Sequence, residues 1–280
     1  MPDRLINTPI CVFFFNRPEK LNELLTTFSK YQFNKIYFVA DGPRNDKDLE
    51  QLKKCYRLVD EFKNANEITK HYSDTNLGCG MRLSSGLDFF FQNEKFGFIF
   101  EDDILPRFDL TNLDSLEELA LKENGITHIS LFNPNSILES SEFTFYTSDK
   151  FFFIWGWATW SHVWKDYEFN FKQSLWKIWW GSLRRLYFPM NLFYFFTLTK
   201  VVKGTLNTWD LQYYISQLKN RGKSLIPVRS LIDNIGHDQE ATHTISESKN
   251  FIVPRSLSSF FSMDQILTIH FIINKLKNYV

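Results

Sequence analysis

One stretch of the chain decides its fold class: Phe98-Ile99-Phe100-Glu101-Asp102-Asp103-Ile104-Leu105. An apolar, β-prone run stops at three consecutive acids and then resumes. A strand interior does not bury adjacent carboxylates, because removing charge from water is costly unless a cation or hydrogen-bond donors compensate. The stretch therefore predicts a buried strand with its acids just beyond the carboxyl end, where ligands bind in α/β proteins.

The sequence around this stretch alternates between short apolar strands and amphipathic helices. We predict strands at 9–15, 35–40, 68–72, 96–100 and 127–132, and helices that start at 18 or lie at 50–63, 81–92, 113–122 and 209–220. This alternation predicts a parallel, doubly wound sheet up to about residue 135.

Polar side chains follow three of the predicted strands. Asn16 and Arg17 follow the first, Asp41 follows the second, and the acid triplet 101–103 follows the fourth. Because the carboxyl ends of parallel strands share one edge of the sheet, we expect these side chains to lie together. Carboxylate oxygens are hard ligands that suit Mg²⁺ or Mn²⁺, which bind phosphate in turn. The sequence thus predicts a site for a metal-bound nucleoside diphosphate.

Composition narrows the class of protein. The 280 residues are 44% hydrophobic and 23% charged, and 32 basic residues balance 32 acidic ones. A chain without net positive charge is a poor candidate for nucleic-acid binding. Its three cysteines show no metal-type spacing, and their odd number argues against a disulfide framework. The N-terminal segment has no apolar signal-peptide core, so we expect a cytoplasmic protein.

Aromatic residues are unusually frequent, at 18% of the chain. The run 186–199 has no charged residue and is flanked by Arg184, Arg185 and Lys200. It is too short to span a bilayer, which takes about 20 apolar residues. A second apolar region, 257–273, repeats at helical spacing. Such segments either lie on a membrane surface or form core helices with a dimer or lid contact, and the sequence leaves both alternatives open.

Seven motifs carry a family resemblance, and they occur in this order: Phe15-Asn16-Arg17-Pro18, Val39-Ala40-Asp41-Gly42-Pro43, Asn76-Leu77-Gly78, Glu101-Asp102-Asp103, Trp155-Gly156-Trp157-Ala158-Thr159-Trp160, Thr208-Trp209-Asp210 and Asn234-Ile235-Gly236-His237-Asp238 with Thr242-His243. With these motifs the chain resembles GT-A-fold glycosyltransferases. It is similar to bacterial family-two-type sugar transferases and, more distantly, to N-acetylglucosaminyltransferase I.

The resemblance implies an α/β GT-A fold: a mostly parallel central sheet, helices on both faces and a C-terminal aromatic-rich helical region. It implies a transferase domain over 1–245, with a nucleotide-binding half at 1–135 and an acceptor-binding half at 136–245. We expect 246–280 to be a helical extension that contacts a membrane or a dimer partner.

The resemblance also assigns the acid triplet and the late motif. Asp103 would bind the divalent metal, Mn²⁺ or Mg²⁺, that bridges the diphosphate of the donor. Asp102 would face the ribose, and Glu101 would face the donor sugar. His237 and His243 are further candidates for the metal shell. From the residues alone, the triplet has a second interpretation as a solvated acidic turn.

Four residues remain on the nucleotide side. Asp41 would accept from the N–H of a uridine-like base, although an Asp-Gly turn is the alternative. Arg17 and Asn16 would reach the base or a phosphate, and Arg17 could instead form a surface ion pair. Arg82 lies near a helix start, a location suited to phosphate, or is simply a solvated helix residue.

On the acceptor side, Asp210 is the predicted catalytic base. A carboxylate held near the acceptor hydroxyl can take its proton, and a helix N-terminus favours negative charge there. A plain N-cap aspartate is the alternative, and Asp166 and Asp238 are fallback candidates. The predicted sugar contacts are Trp155, Gly156, Trp157 and Trp209. Aromatic faces pack on the apolar faces of sugars, while a core cluster is the alternative.

The resemblance implies an inverting, metal-dependent hexosyl- or N-acetylhexosaminyltransferase. It would move a sugar from a nucleoside diphosphate, with UDP favoured, to a bacterial surface-glycan acceptor. Such acceptors include lipid-linked O-antigen, capsule and lipooligosaccharide intermediates, so we expect a peripheral position at the inner face of the plasma membrane. Two alternatives stay open: a sugar-phosphate nucleotidyltransferase and a non-catalytic sugar- or nucleotide-binding protein.

Overall fold

The computed structural model describes residues 4–136, 143–171, 174–206, 208–236, 251–252 and 268. Up to the acid triplet, strands and helices alternate. The elements are β1 (Leu5–Ile6), β2 (Ile10–Phe14), α1 (Pro18–Phe28), β3 (Gln32–Ala40), α2 (Asp46–Glu61), β4 (Ala65–Tyr72), α3 (Cys79–Asn93) and β5 (Phe96–Glu101). Every strand and helix predicted in this part of the chain is present, most with slightly wider bounds.

Beyond the triplet the elements are shorter. They are β6 (Ile104–Pro106), a 3₁₀ turn (Leu110–Asn112), α4 (Leu113–Lys122), β7 (Ile126–Ser130), β8 (Asn135–Ser136), β9 (Phe145–Ser148), β10 (Trp157–Trp160), α5 (Ser161–Trp164), α6 (Leu175–Gly181), a 3₁₀ turn (Leu183–Arg185), α7 (Met190–Val202), α8 (Asp210–Lys219), β11 (Lys223–Pro227), β12 (Ile232–Asn234) and β13 (Phe251–Ile252).

A nine-stranded sheet is the centre of the described structure. Strand β3 pairs in parallel with β1, β2 and β4, and the order continues β2-β5-β10-β7-β11-β9. Strand β10 runs antiparallel to both β5 and β7, and β9 runs antiparallel to β11. The remaining pairs in this sheet are parallel, so the prediction of an α/β fold with a mostly parallel central sheet is confirmed.

Helices cover both faces of the sheet because strand side chains alternate between them. In β2, Ile10, Val12 and Phe14 pack with α1, α2 and α4, whereas Cys11 and Phe13 pack with α3, α5 and α8. All five residues of β2 are buried. A strand covered on both faces reads as a continuous apolar run rather than an alternating one.

The parallel strands predicted up to about residue 135 do not form the sheet alone. Strand β10, from the Trp-Ala-Thr-Trp segment, lies between β5 and β7. The sheet therefore takes strands from both sides of residue 135, and the two predicted halves share it. A third apolar cluster joins α6, α7 and α8 into the aromatic-rich helical region. Of the predicted extension 246–280, the structure describes Phe251–Ile252, which pairs in parallel with Asn135–Ser136, and Thr268.

Candidate active site

Neighbouring strands bring Arg17 to the acid triplet. Strands β2 and β5 are parallel neighbours, so the turn after β2 and the acids after β5 meet at one edge of the sheet. The Arg17 guanidinium donates to the Asp103 carboxylate over 2.9 Å through Nη1, and to Asp102 through Nη2. The Asp102 side chain is 1% exposed and that of Arg17 is 21% exposed. The arginine thus neutralises buried charge that the strand end alone could not hold.

Backbone contacts also fix the position of Asp102. The Asp102 backbone N–H donates to the Phe13 carbonyl over 2.9 Å, and its carboxylate accepts from the Phe15 N–H at 3.4 Å. Burial raises the pKa of Asp102 to about 6, although Arg17 acts against this shift. Because these bonds start from the β2 backbone, the position of Asp102 is set by the sheet itself.

A late segment of the chain closes over Asp103. Strand β12 pairs with β6, and the Ile235 N–H donates to the Asp103 carbonyl over 2.8 Å. Lys20 Nζ donates to the Ile235 carbonyl, also over 2.8 Å. A Cβ at Gly236 would lie 2.3 Å from Asp103 Oδ2. A side chain at position 236 would therefore displace the Asp103 carboxylate.

The charges of the neighbouring acids, including Asp210, act on the Glu101 carboxyl group. Burial raises the pKa of Glu101 to about 8, with the negative charges of Asp103 and Asp102 adding to it, Arg17 opposing it and Asp210 contributing last. The same neighbours act on Cys79, whose pKa is raised to about 12 by desolvation and by Glu101 and Asp210. Glu101 at the end of β5 and Asp210 at the start of α8 are therefore close enough for their charges to interact.

Asp210 begins α8 and is exposed. Its carboxylate accepts from the Thr208 hydroxyl and, over 2.8 Å, from the Leu211 N–H. Asp166, the fallback candidate, accepts from Asn220 Nδ2 at 2.8 Å. Asn220 follows the last turn of α8, so Asp166 lies at the far end of this helix from the acid triplet. Asp238 lies outside the described residues.

Asp41 is the anchor of a loop. Its Oδ1 accepts from the N–H groups of Gly42 (2.9 Å) and Leu77 (2.8 Å), and its Oδ2 accepts from Asn76 Nδ2 (3.1 Å) and the Gly78 N–H (2.9 Å). A carboxylate offers about four acceptor positions, so these donors use them all. Contact with a base N–H stays a prediction, and it requires Asp41 to release one of these bonds.

Asn16 and Arg82 also have partners within the chain. Asn16 Nδ2 donates to Asp48 Oδ1 over 2.6 Å. Arg82 is 5% exposed and donates to the His71 carbonyl, while its buried Nε has no hydrogen-bond partner among the described residues. Burial lowers the pKa of Arg82, and the Asp41 charge opposes this. Arg82 is thus buried, and its contact with phosphate stays a prediction.

The predicted sugar-binding tryptophans need a correction. Trp157 is 1% and Trp209 is 5% exposed, and their rings stack at 5.8 Å in the core. Neither ring offers a face to a sugar. Trp155 is partly buried against Phe132, with ring centroids 4.6 Å apart. Gly156 adopts a φ of +59°, which lets the chain turn into β10 without a side-chain clash.

The predicted metal site is described only in part. His237 and His243 lie outside the described residues. Within the described ranges, no three His, Cys, Asp or Glu side chains form a group that could hold a metal ion. The donor chemistry nevertheless fits Mg²⁺ or Mn²⁺, because Asp103 presents hard carboxylate oxygens of which Arg17 engages one. Asp103 is thus the described residue best suited to this ion.

Lys20 and Cys79 have contacts at the site that the sequence pattern does not indicate. Lys20 lies on α1, and its bond to the Ile235 carbonyl supports the segment that passes over Asp103. Cys79 is the first residue of α3, and the charges of Glu101 and Asp210 act on its thiol. No local pattern distinguishes such residues, since both depend on contacts made far along the chain.

The chain matches no protein-family model and no curated protein. Solved structures that align with it include a mannosyltransferase from Pyrobaculum calidifontis in complex with GDP-Man and Mn²⁺ (11% identity, TM-score 0.37, 58% of this chain and 46% of that one). Others are a Drosophila β-1,4-galactosyltransferase 7 with manganese, UDP-Gal and xylobiose (8%, 0.37, 86% and 75%) and a UDP-glucose pyrophosphorylase with UDP-glucose (9%, 0.40, 81% and 92%).

The aligned part is thus less than half of the mannosyltransferase chain. These neighbours are nucleotide-sugar glycosyltransferases and nucleotidyltransferases. At identities and TM-scores this low, the function of the chain has to be argued from its own geometry. No helix in the described ranges is long and apolar enough to cross a membrane.

Proposed function

We propose that this chain is an inverting glycosyltransferase that moves a sugar from a nucleoside diphosphate to an acceptor hydroxyl. One observation carries the proposal. Arg17 pairs with Asp102 and Asp103 just beyond β5, and the charge of the exposed Asp210 acts on the neighbouring Glu101. This arrangement brings carboxylates that suit a divalent cation, and through it a diphosphate, near an exposed carboxylate that could act as a base.

Asp210 would act as the general base. Its carboxylate takes the proton of the acceptor hydroxyl while the acceptor oxygen forms a bond to the anomeric carbon. The bond from that carbon to the diphosphate oxygen breaks, and the nucleoside diphosphate leaves with the electron pair. The N–H groups at the start of α8 favour the ionised base before transfer. Inversion follows because the acceptor attacks opposite the leaving group.

Asp103 is the described residue that would hold a divalent cation, with His237 and His243 as further candidates. When bound, such an ion supplies positive charge that stabilises the leaving diphosphate. Arg17 is within hydrogen-bond distance of both aspartates and keeps them oriented. Asp102 and Glu101 would contact the ribose and the donor sugar, and a UDP-sugar is the proposed donor.

A bacterial surface glycan, lipid-linked or free, is the proposed acceptor class, and the proposed location is the cytoplasm or the inner face of the plasma membrane.

Donor binding is tested by calorimetry against UDP-, GDP-, CDP- and dTDP-sugars in the presence of Mn²⁺. A bound donor stabilises the folded state. Asp103→Ala should abolish metal-dependent donor binding.

The base is tested by Asp210→Asn, which should keep donor binding and lower transfer at least about a hundredfold, since general bases contribute about 10²–10⁴. Asp166→Asn is the matched control, because Asp166 lies at the far end of α8, and its turnover should be unchanged. Unchanged turnover in Asp210→Asn would remove that residue from the mechanism. Pyrophosphate release from a nucleoside triphosphate would indicate a nucleotidyltransferase. Neither binding nor hydrolysis of any donor would indicate a non-catalytic protein.

A further inference from the structure

Helices α6 and α7 expose large apolar side chains in regular stripes. On α6, Trp176 and Trp180 are 66% and 62% exposed and are spaced by one helical turn. On α7, Leu192 and Phe196 are 37% and 62% exposed and share one face. Side chains four residues apart on a helix are neighbours. Each helix thus presents an apolar ridge to solvent.

The two ridges belong to one surface. The ring of Trp176 lies 6.0 Å from that of Phe195, and Phe195 lies 6.1 Å from Phe196. On the inner side, Ile178 of α6 and Leu198 of α7 are buried in the third apolar cluster. We call the surface formed by Trp176, Trp180, Leu192 and Phe196 the aromatic platform. Its side chains remain exposed although the inner sides of both helices are packed.

The stretch of sequence that forms the aromatic platform carries charge of one sign. Between Glu168 and Asp210 the chain has no acidic residue and six basic ones, although the whole chain carries as many acids as bases. The five of these that the structure describes are all exposed: Lys177, Arg184, Arg185, Lys200 and Lys203. Lys200 and Lys203 continue the stripe of Leu192 and Phe196 along α7.

One contact joins the aromatic and the basic components of this surface. The Arg184 guanidinium lies over the Trp180 ring, 5.6 Å from its centroid, and Arg184 Nε donates to the Trp180 carbonyl over 2.7 Å. Tryptophan and basic side chains together favour the interface between lipid headgroups and acyl chains. A bilayer with anionic headgroups satisfies both components at once.

We propose that the aromatic platform and its basic rim dock this protein on a bilayer that contains anionic phospholipids. The protein then lies on the membrane, since the 13 residues of α7 reach only about 20 Å at 1.5 Å per residue, short of the roughly 30 Å hydrocarbon core. A second copy of the chain is a poor occupant of this surface, because the two faces would bring like charges together.

The platform lies close to the proposed catalytic base. Tyr194 of α7 stacks on Tyr214 of α8, with ring centroids 4.6 Å apart, and Asp210 begins α8. Docking would therefore bring the cleft near the lipid surface. The docking inference does not depend on the proposed transferase activity, because it concerns a different surface and is measured without any donor.

The test is co-sedimentation of the full chain with vesicles of phosphatidylcholine, with and without phosphatidylglycerol. We expect binding to the anionic vesicles, with release as salt rises from about 0.1 M to about 1 M, where the screening length falls from about 10 Å to about 3 Å. The double variant Trp176→Ser/Phe196→Ser should lower partitioning about tenfold. The variant Lys200→Gln/Lys203→Gln should lower it by a similar factor, for anionic vesicles only.

Two controls match these changes elsewhere on the surface. Leu121→Ser removes an apolar side chain that is 69% exposed on α4, and Lys53→Gln/Lys54→Gln removes two exposed charges from α2. Both should bind vesicles like the parent, and the thermal melts of all four variants should confirm folding. Equal binding by platform and control variants, no preference for anionic lipid, or a dimer that the platform variants dissolve would each overturn the proposal.

Discussion

Replacing Arg17 by methionine tests whether the acid triplet depends on its buried ion pair. Methionine keeps an unbranched side chain but leaves Asp102, 1% exposed, without its cation. Removing one partner of a buried pair costs about 3–5 kcal/mol. Because a fifth of the Arg17 side chain is exposed, we expect the lower figure, about 3 kcal/mol. For a domain of this size that corresponds to a fall in Tm of roughly 6 °C.

The assay is urea and thermal unfolding of Arg17→Met beside the double variant Arg17→Met/Asp102→Asn. Neutralising Asp102 removes the unpaired buried charge, so the double variant should regain at least half of the lost stability. Arg107→Gln is the control, since Arg107 and Asp233 are 56% and 51% exposed, and such pairs contribute less than about 1 kcal/mol. The reasoning is refuted if Arg17→Met costs no more than the control, or if Asp102→Asn restores nothing.

Two further variants test other contacts. Gly236→Ala places a methyl group against the Asp103 carboxylate, so it should weaken metal-dependent donor binding in calorimetry. Gly181→Ala is the control, because its Cβ meets no atom within 4 Å, and it should leave donor binding unchanged. Burial lowers the pKa of His128 to about 3, so below about pH 6.5 the unfolded state binds a proton that the folded state excludes. Between pH 6.5 and 4.5 this should cost about 2 kcal/mol in urea unfolding. His128→Gln should remove that loss, His162→Gln should keep it, and identical slopes in both would contradict the assignment.

The sequence predicted the elements that repeat locally and the site that follows from them. The apolar run of β2 and the acids after β5 needed only the rule that parallel strands end on one edge. Strand β10 could not be predicted in this way, because a four-residue segment that contains Thr159 is too short to form a clear apolar run. Its antiparallel insertion between β5 and β7 depends on partners far along the chain.

The same contrast between local sequence and long-range contacts applies to the site residues. The Asp41 pattern allowed either a base contact or an Asp-Gly turn, and the structure surrounds that carboxylate with donors from 76–78. Trp157 and Trp209 lie in motifs that favoured a sugar contact, but both rings are buried in the core. Local sequence therefore predicts which residues reach an edge, whereas long-range packing decides which of them keep a free polar or aromatic face.

Charge at the cleft limits how a donor can enter. Among the described residues, Arg17 is the cation paired with Asp102 and Asp103, and the negative charges of Asp102, Asp103 and Asp210 all act on Glu101. Burial and neighbouring charge raise the pKa of Glu101 to about 8, which protonates much of it near neutral pH but still leaves more acid than base. A diphosphate is itself negative, so it would be repelled unless further positive charge accompanies it. Donor binding should therefore depend on a divalent cation, and the dependence should be strongest for the diphosphate rather than for the nucleoside. Calorimetry with a UDP-sugar and with uridine, each with Mn²⁺ and with EDTA, separates the two: equal donor affinity in EDTA would contradict this reasoning.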